Sequence, residues 1–179
     1  MKSASLLLLC CVLASSAPAA GFIWGSGYHE VLPGDDFPES TIWGTATVHM
    51  SGGEVYKLAC WDSSVFTMTG GTLGSLGMLE DTRAHLYGGS LGGIGFGTTS
   101  VPNTSEVHFY VRTYEILPGP GAGILSGTWA DGASPFNVSL STTAMEHITV
   151  HIIPEPSIAL LVGVGLITTL RRKRRARTF

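Results

Sequence analysis

The chain has 179 residues, 44% of them hydrophobic and only 13% charged, and its formal net charge is −3. The charges are unevenly distributed, because six of the ten Lys and Arg residues lie between Arg171 and Phe179. Residues 20–153 carry three basic and twelve acidic side chains, so their formal charge is 3 − 12 = −9. A body this acidic does not attract phosphates, which excludes a nucleic-acid partner.

Residues 1–19 have the pattern of a secretory signal peptide. Lys2 is followed by an apolar stretch from Ala4 to Ala14, and Ala17-Pro18-Ala19 supplies the small residues that precede a cleavage site. We therefore expect an N-terminal signal helix, cleavage after Ala19 and export of the remainder by the secretion machinery.

Residues 45–98 consist of three ungapped 18-residue repeats, and residues 27–44 form a degenerate earlier copy. The clear copies are 45–62, 63–80 and 81–98. A fixed period of this length is typical of stacked units, and Gly, Thr, Val, Ser and aromatic residues in short alternating runs favour strands. The sequence therefore predicts an all-β fold, with a short parallel β-helix or β-solenoid over residues 20–100. Each repeat would form one turn of the chain, called a rung below.

Stacking the repeats in register predicts columns of like residues along the interior. Three columns carry this prediction: Leu32, Met50, Met68 and Leu86; Phe37, Val55, Leu73 and Leu91; and Ile42, Cys60, Met78 and Phe96. Each repeat also contains a Gly pair, which is expected at a corner with positive φ. Residues 101–153 lose the period but alternate, above all from Glu106 to Leu117, and are expected to form irregular final rungs or an antiparallel cap.

Residues 154–179 combine three features in a fixed order. Pro154-Glu155-Pro156 cannot continue a helix, residues 157–170 are uncharged, and a basic end follows that contains Arg171, Arg172, Lys173, Arg174 and Arg175. As a helix, the apolar run would extend about 21 Å, which is short for a bilayer core of roughly 30 Å. We expect a short transmembrane helix over 157–170 with its basic end in the cytoplasm.

This arrangement resembles the PEP-CTERM sorting signal of Gram-negative bacteria, over about a seventh of the chain. The resemblance implies recognition by exosortase, a membrane protease-transpeptidase, cleavage near the tripeptide, and delivery of the body to the cell surface or extracellular matrix. The Gly-rich repeats also resemble those often found in PEP-CTERM proteins. An ordinary membrane anchor is the alternative interpretation.

The histidines do not predict a metal site. His49 and His85 share a column, but they lie two rungs, or about 10 Å, apart and are expected to point into solvent. His147 and His151 have a spacing that binds zinc on a helix, yet the strand predicted by Ile148-Thr149-Val150 places them about 13 Å apart. No metal and no cofactor is therefore predicted.

Three further features could carry chemistry. Asp62 and Glu80 fall in one column of adjacent rungs, about 5 Å apart. This separation is similar to that between the two catalytic carboxylates of a glycosidase, although a solvated corner is the simpler interpretation. Cys60 lies in an apolar column and is expected in the core. Trp43 and Trp61 are in register, and such a pair either binds sugar rings or packs at a corner.

The sequence predicts an exported, non-catalytic protein of the cell surface or extracellular matrix. Before processing it would be anchored in the inner membrane through residues 157–170. A module that binds extracellular polysaccharide is the alternative, and a glycan-cleaving β-helix enzyme is the least favoured function.

Overall fold

A computed structural model describes residues 21–97 and 102–154. The predicted signal peptide and the predicted transmembrane segment lie outside these ranges, as does the whole sorting signal apart from Pro154. Within the described ranges no helix has the length and apolar character needed to span a membrane.

The described residues form strands and a single 3₁₀ helix. The strands are β1 (Phe22–Trp24), β2 (Tyr28–Val31), β3 (Asp36–Ile42), β4 (Thr47–Met50), β5 (Glu54–Cys60), β6 (Val65–Met68), β7 (Thr72–Met78), β8 (Arg83–Leu86), β9 (Ser90–Phe96), β10 (Glu106–Leu117), β11 (Gly123–Trp129), β12 (Pro135–Leu140) and β13 (Ile148–Ile152), and the 3₁₀ helix is Ala144–Glu146. The predicted all-β class is confirmed.

The strands wind into a β-solenoid of about four turns, as the repeats predicted. The short strands β2, β4, β6 and β8 stack in parallel on one side, and β1, β3, β5, β7 and β9 stack in parallel on the other. Each rung contributes one strand to each side. Side chains that point between the two sheets form the apolar core.

Two of the three predicted columns are confirmed, and one is wrong at its first member. The first confirmed column runs from Phe37 through Val55 and Leu73 to Leu91. The second runs from Ile42 through Cys60 and Met78 to Phe96. In the remaining column, however, Val31 and not Leu32 pairs with Met50. The corner before β3 is longer than the corners of later rungs, so Val31 is buried and Leu32 is 47% exposed. A shift of one residue exchanges the two faces of a strand.

The long strands contain a bend that the repeat did not predict. In β5, Tyr56 and Lys57 are both exposed between the buried Val55 and Leu58, so simple alternation fails there. The ladder skips this position in every rung. Gly74 occupies it in the next rung, because a Cβ atom would overlap the carbonyl oxygen of Tyr56. The cross-section therefore has an additional corner in the middle of the long strand.

The two glycines of each pair are required for different reasons. Gly71 has φ +86°, a left-handed conformation that other residues adopt at a cost. Gly70 has no positive φ, but a Cβ atom there would lie 2.5 Å from the carbonyl oxygen of Ser51 in the rung before. Only the second glycine is therefore the positive-φ corner that was predicted, and the first permits close approach of the rungs.

Residues 106–140 close the C-terminal end and combine both predicted alternatives. The first part of β10 stacks in parallel on β8 as another rung, but the rest runs on and pairs antiparallel with β11. β12 pairs antiparallel with β11 and parallel with β9 through Ser139 and Leu140. These three strands, called the cap, join the two stacks into one sheet, and β13 adds to β10 in parallel.

An aromatic cluster fills the interior beneath the cap. Phe109, Trp129 and Phe136 are all buried, and the ring centroids of Trp129 and Phe136 lie 4.4 Å apart. The indole Nε1–H of Trp129 donates a 2.8 Å hydrogen bond to the carbonyl oxygen of Gly89. The cap is thus fixed to the last regular corner by both packing and a directed bond.

Substitution at the corner glycines is expected to test how tightly the rungs pack. Gly71→Ala should destabilise the fold by about 2 kcal/mol or more, because it combines positive φ with a Cβ atom 2.5 Å from the carbonyl oxygen of Gly52. Gly95→Ala is the matched control, since a Cβ atom there meets nothing within 4 Å. Urea unfolding of both variants measures the difference, and equal stabilities would show that the corner tolerates a side chain.

Candidate functional site

The carboxylates of Asp62 and Glu80 are part of the corner architecture. Both residues have positive φ, 57° and 62°, which non-Gly residues adopt only with compensation. Asp62 Oδ2 accepts a 3.0 Å hydrogen bond from the N–H of Gly44, and Glu80 Oε2 accepts a 3.1 Å bond from the N–H of Asp62. Each carboxylate therefore caps the backbone of the preceding rung, a role that spacing alone did not reveal.

Trp43 and Trp61 form a stacked pair on an exposed corner. Their ring centroids lie 5.8 Å apart at an interplanar angle of 28°, and Trp43 is 51% exposed. Leu79 occupies the same corner in the next rung, and these three residues are called the Trp corner. Towards the first rung, the corresponding residue is Gly25, where a Cβ atom would meet nothing within 4 Å. Gly25 therefore adds no side chain beside the half-exposed Trp43 indole.

A flat surface of small side chains lies beside the Trp corner. Next to the corner position, the outward-facing column of the long strands is Thr41, Ala59, Gly77 and Gly95. None of these side chains rises above the sheet as an aromatic ring would. The Trp corner thus forms a ridge beside a column of small, uncharged residues, and the next exposed column carries the Glu39–Lys57 ion pair. Exposed indole rings of this kind can stack on sugar rings.

A cluster of histidine and tyrosine rings covers the outer face of the opposite sheet. It consists of His85, His108, His151, Tyr87 and Tyr110, supplied by β8, β10 and β13 and the corner after β8, and is called the His–Tyr cluster. The rings of His85 and His108 stack at 5.0 Å, and those of Tyr87 and Tyr110 stack at 4.1 Å. His108 Nδ1 lies 3.1 Å from His151 Nε2, so one of these two nitrogens donates to the other.

The sequence did not predict this cluster, because its strands are not related by the repeat. Glu106 pairs with Arg83, so the chain between these two strands is longer than one regular repeat. His85 does point outward as expected, but it is half-buried among these rings and not freely solvated. The signal that could have located the cluster is the alternation His108-Phe109-Tyr110, which places both polar rings on one face of β10.

Burial and neighbouring positive charge both act on His85. They lower the pKa of its imidazole, with burial the larger cause, followed by His108, Arg83 and His151. The carboxylate of Glu106 lies 3.4 Å from His108 Nε2 and 3.8 Å from Arg83 Nε. A neutral His85 is therefore the form that suits the folded cluster.

The histidines that the sequence singled out as pairs do not converge. His147 Nδ1 lies 2.9 Å from the carbonyl oxygen of Ser105 and its ring stacks on Phe96, whereas His151 belongs to the His–Tyr cluster. His49 Nε2 contacts Thr69 Oγ1 at 3.0 Å. In the part of the chain that the structure describes, no three His, Cys, Asp or Glu side chains are placed to hold one metal ion.

Cys60 lies in the core column between Ile42 and Met78, as its repeat position predicted. Its side chain is fully buried, and this burial raises the pKa of the thiol well above its ordinary value. A thiol that stays protonated and inaccessible is a weak nucleophile. Cys60 therefore acts as a small hydrophobic residue.

Acidification is expected to weaken the His–Tyr cluster. Unfolded His85 takes up a proton near a pKa of about 6.5, whereas folded His85 resists protonation because its pKa is lowered. The unfolded state then binds more protons, so stability falls as the pH falls from about 7 towards 5. His85→Gln should reduce this fall in stability, measured by urea unfolding across the same pH range. His49→Gln is the control, because it removes a histidine outside the cluster and should leave the pH dependence unchanged. Equal pH dependence of the wild type and His85→Gln would contradict the expectation.

An open groove of about 450 Å³ lies between β9 and the cap. Its lining consists of Ser75, Gly93, Ile94, Gly95, Pro120, Gly121, Ser139, Leu140 and Ser141, without a titratable side chain. The Trp corner therefore offers the more specific geometry for a ligand.

A scan against protein-family models and searches of curated proteins and of solved structures found no match to this chain.

Proposed function

We propose that the chain is an exported, non-catalytic protein of the cell surface or extracellular matrix. The observation that carries this proposal is the order of features at the C-terminus: Pro154-Glu155-Pro156, the apolar run 157–170 and the basic end. Its partners would be the secretion machinery, an exosortase-type sorting protease, and the membrane through residues 157–170 before processing.

The described body is compatible with a structural role. Four rungs stacked at about 4.8 Å give a short rod of roughly 19 Å. Asp62 and Glu80, the carboxylates of the enzymatic alternative, are engaged in capping backbone N–H groups, and Cys60 is buried. A glycan-cleaving activity is therefore not proposed. The formal charge of −9 over residues 20–153, from three basic and twelve acidic side chains, keeps separate copies soluble and disfavours nucleic acid.

The mass of the C-terminal peptide of the protein from its native host tests this proposal. We expect the chain to end near Pro154-Glu155-Pro156 without the basic end, because exosortase-type processing removes the helix. Replacing Pro154 and Pro156 with Ala should block processing, whereas Pro135→Ala, an exposed proline far from the tripeptide, should not. A wild-type chain that ends at Phe179 would contradict the proposal and show that the segment is a permanent anchor.

A second candidate function is the binding of extracellular polysaccharide. It is favoured by the Trp corner, where the stacked Trp43 is half-exposed beside Gly25 and a column of small residues lies alongside. Sugar rings stack on exposed indole faces, and such contacts need no metal or catalytic group.

Retention on the exopolysaccharide of the native host tests this second candidate. Replacing both Trp43 and Trp61 with Ala should weaken retention about tenfold, the effect of losing aromatic stacking worth roughly 1–1.5 kcal/mol. Tyr56→Ala is the matched control, since Tyr56 is an equally accessible aromatic residue, 63% exposed, at a different corner. If the double variant is retained as well as the wild type, the Trp corner is only a packing feature.

A further inference from the structure

The strand β13 has fewer buried contacts than the strands on which its stack is built. None of its residues is fully buried, whereas β2, β4, β6 and β8 each bury at least one. Among the described strands its partner is β10, which it joins along one edge. Segments with few buried contacts open locally at a lower free-energy cost than core strands.

Two kinds of contact hold β13 on β10. The parallel backbone ladder runs along the whole of β13. On the outward face, the ring of His151 stacks on Tyr110 with centroids 4.8 Å apart, and its Nε2 lies 3.1 Å from His108 Nδ1. His151 is therefore the side chain that connects β13 to the His–Tyr cluster.

The contact between His108 and His151 accommodates one proton and not two. One of the two nitrogens donates the hydrogen bond and the other accepts it. If both rings are fully protonated, no acceptor remains and two positive charges face each other at this distance. Because imidazoles change charge between pH 5 and 8, a detached β13 allows the two rings to bind more protons than the docked strand does. Linkage then favours detachment as the pH falls.

Two carboxylates balance part of the positive charge around the cluster. Glu106 Oε2 lies 3.4 Å from His108 Nε2 and 3.8 Å from Arg83 Nε. Asp81 Oδ1 lies 3.5 Å from Arg83 Nη2. In the part of the chain that the structure describes, these ion pairs serve Arg83 and His108 and do not include His151. A proton on His151 is therefore not compensated by a carboxylate.

The other groups around His151 are neutral or positive. Tyr110 and Tyr87 are phenols, which stay protonated throughout this pH range. His85 stacks on His108, and its pKa is lowered by burial first and then by neighbouring positive charges. Arg112 follows on β10, and its side chain packs against the turn between β11 and β12. None of these groups offsets the charge of a protonated His151.

We propose that β13 is a proton-controlled clasp, which pairs with β10 at neutral pH and detaches when the His–Tyr cluster takes up protons. The solenoid behind it stays folded, because β10 keeps its partners β8 and β11. Detachment uncovers the apolar side chains of Ile148 and Val150, which are only partly buried to begin with. The fully buried core residues lie outside β13.

Release of the clasp changes the chain segment that leads to the sorting signal. Ile153 alone separates β13 from Pro154, and its N–H donates a 2.8 Å hydrogen bond to the carbonyl oxygen of Val111. A protease cleaves an opened segment more readily than a hydrogen-bonded strand. This consequence rests on the proposed sorting: a detached β13 offers the sorting protease a free chain before the tripeptide.

Amide hydrogen exchange of the protein from its native host, followed by mass spectrometry at pH 7.5 and 5.0, tests the clasp. Protection factors correct for the pH dependence of the intrinsic exchange rate. In the wild type, protection of β13 should fall about tenfold at pH 5.0, the effect of losing about one hydrogen bond, while protection of β7 is unchanged. His151→Gln still donates to His108 but takes up no proton, so β13 should stay protected. His151→Lys should release β13 already at pH 7.5.

Ile152→Lys is the matched control for the charged variant. It adds the same charge to the same strand, at a position that is 60% exposed and points to the opposite face, so β13 should keep its protection at pH 7.5. Equal protection of wild-type β13 at both pH values would overturn the clasp. So would a parallel loss of protection in β7, or an equal effect of Ile152→Lys and His151→Lys. A wild-type chain that ends at Phe179 overturns the sorting and its link to β13, whereas the exchange measurement decides the clasp by itself.

Discussion

The hydrogen bonding of each rung to the next is the constraint on which the rest of the structure depends. The hydrogen-bond ladder continues through the corners as well as the strands. The N–H of Trp61 donates to the carbonyl oxygen of Ile42, and the N–H of Ser63 donates to the carbonyl oxygen of Gly44. Because no backbone group at a buried corner can remain unpaired without a cost of a few kcal/mol, every rung must repeat the path of its neighbour. The 18-residue period is the sequence expression of this requirement.

The same constraint explains where the unusual residues lie. Close approach of corners leaves no room for a Cβ atom at Gly70, and the chain reversal gives Gly71 a positive φ. At the opposite corner Asp62 and Glu80 adopt a similar conformation, and their carboxylates satisfy N–H groups of the preceding rung. Acidic residues that in another fold would suggest catalysis thus act here as backbone caps.

The interior residues form the core and the corner residues hydrogen-bond between rungs. The outward-facing columns are therefore the part of the solenoid that can contact other molecules. Stacking makes each column a stripe of neighbouring side chains about 5 Å apart, so aromatic residues in register become a continuous ridge, as at Trp43 and Trp61. The His–Tyr cluster follows the same logic on the other sheet. Among the described residues the two ends differ: the cap strands join the two stacks at one end, and β1 and β2 are the last strands of separate stacks at the other.

The sequence by itself determined the all-β class, the stacking of rungs and most of the interior columns, because a ladder in register makes each position depend on its equivalents one repeat away. It misplaced Leu32, where the irregular corner before β3 shifts the register by one residue. Only the tertiary structure decided the bend at Tyr56, the capping by Asp62 and Glu80, and the meeting of His85 with His108. The repeat ends at the cap, because the chain between β8 and β10 is longer than one regular repeat. Beyond that point the strand partners depend on tertiary packing, which a local sequence period cannot predict.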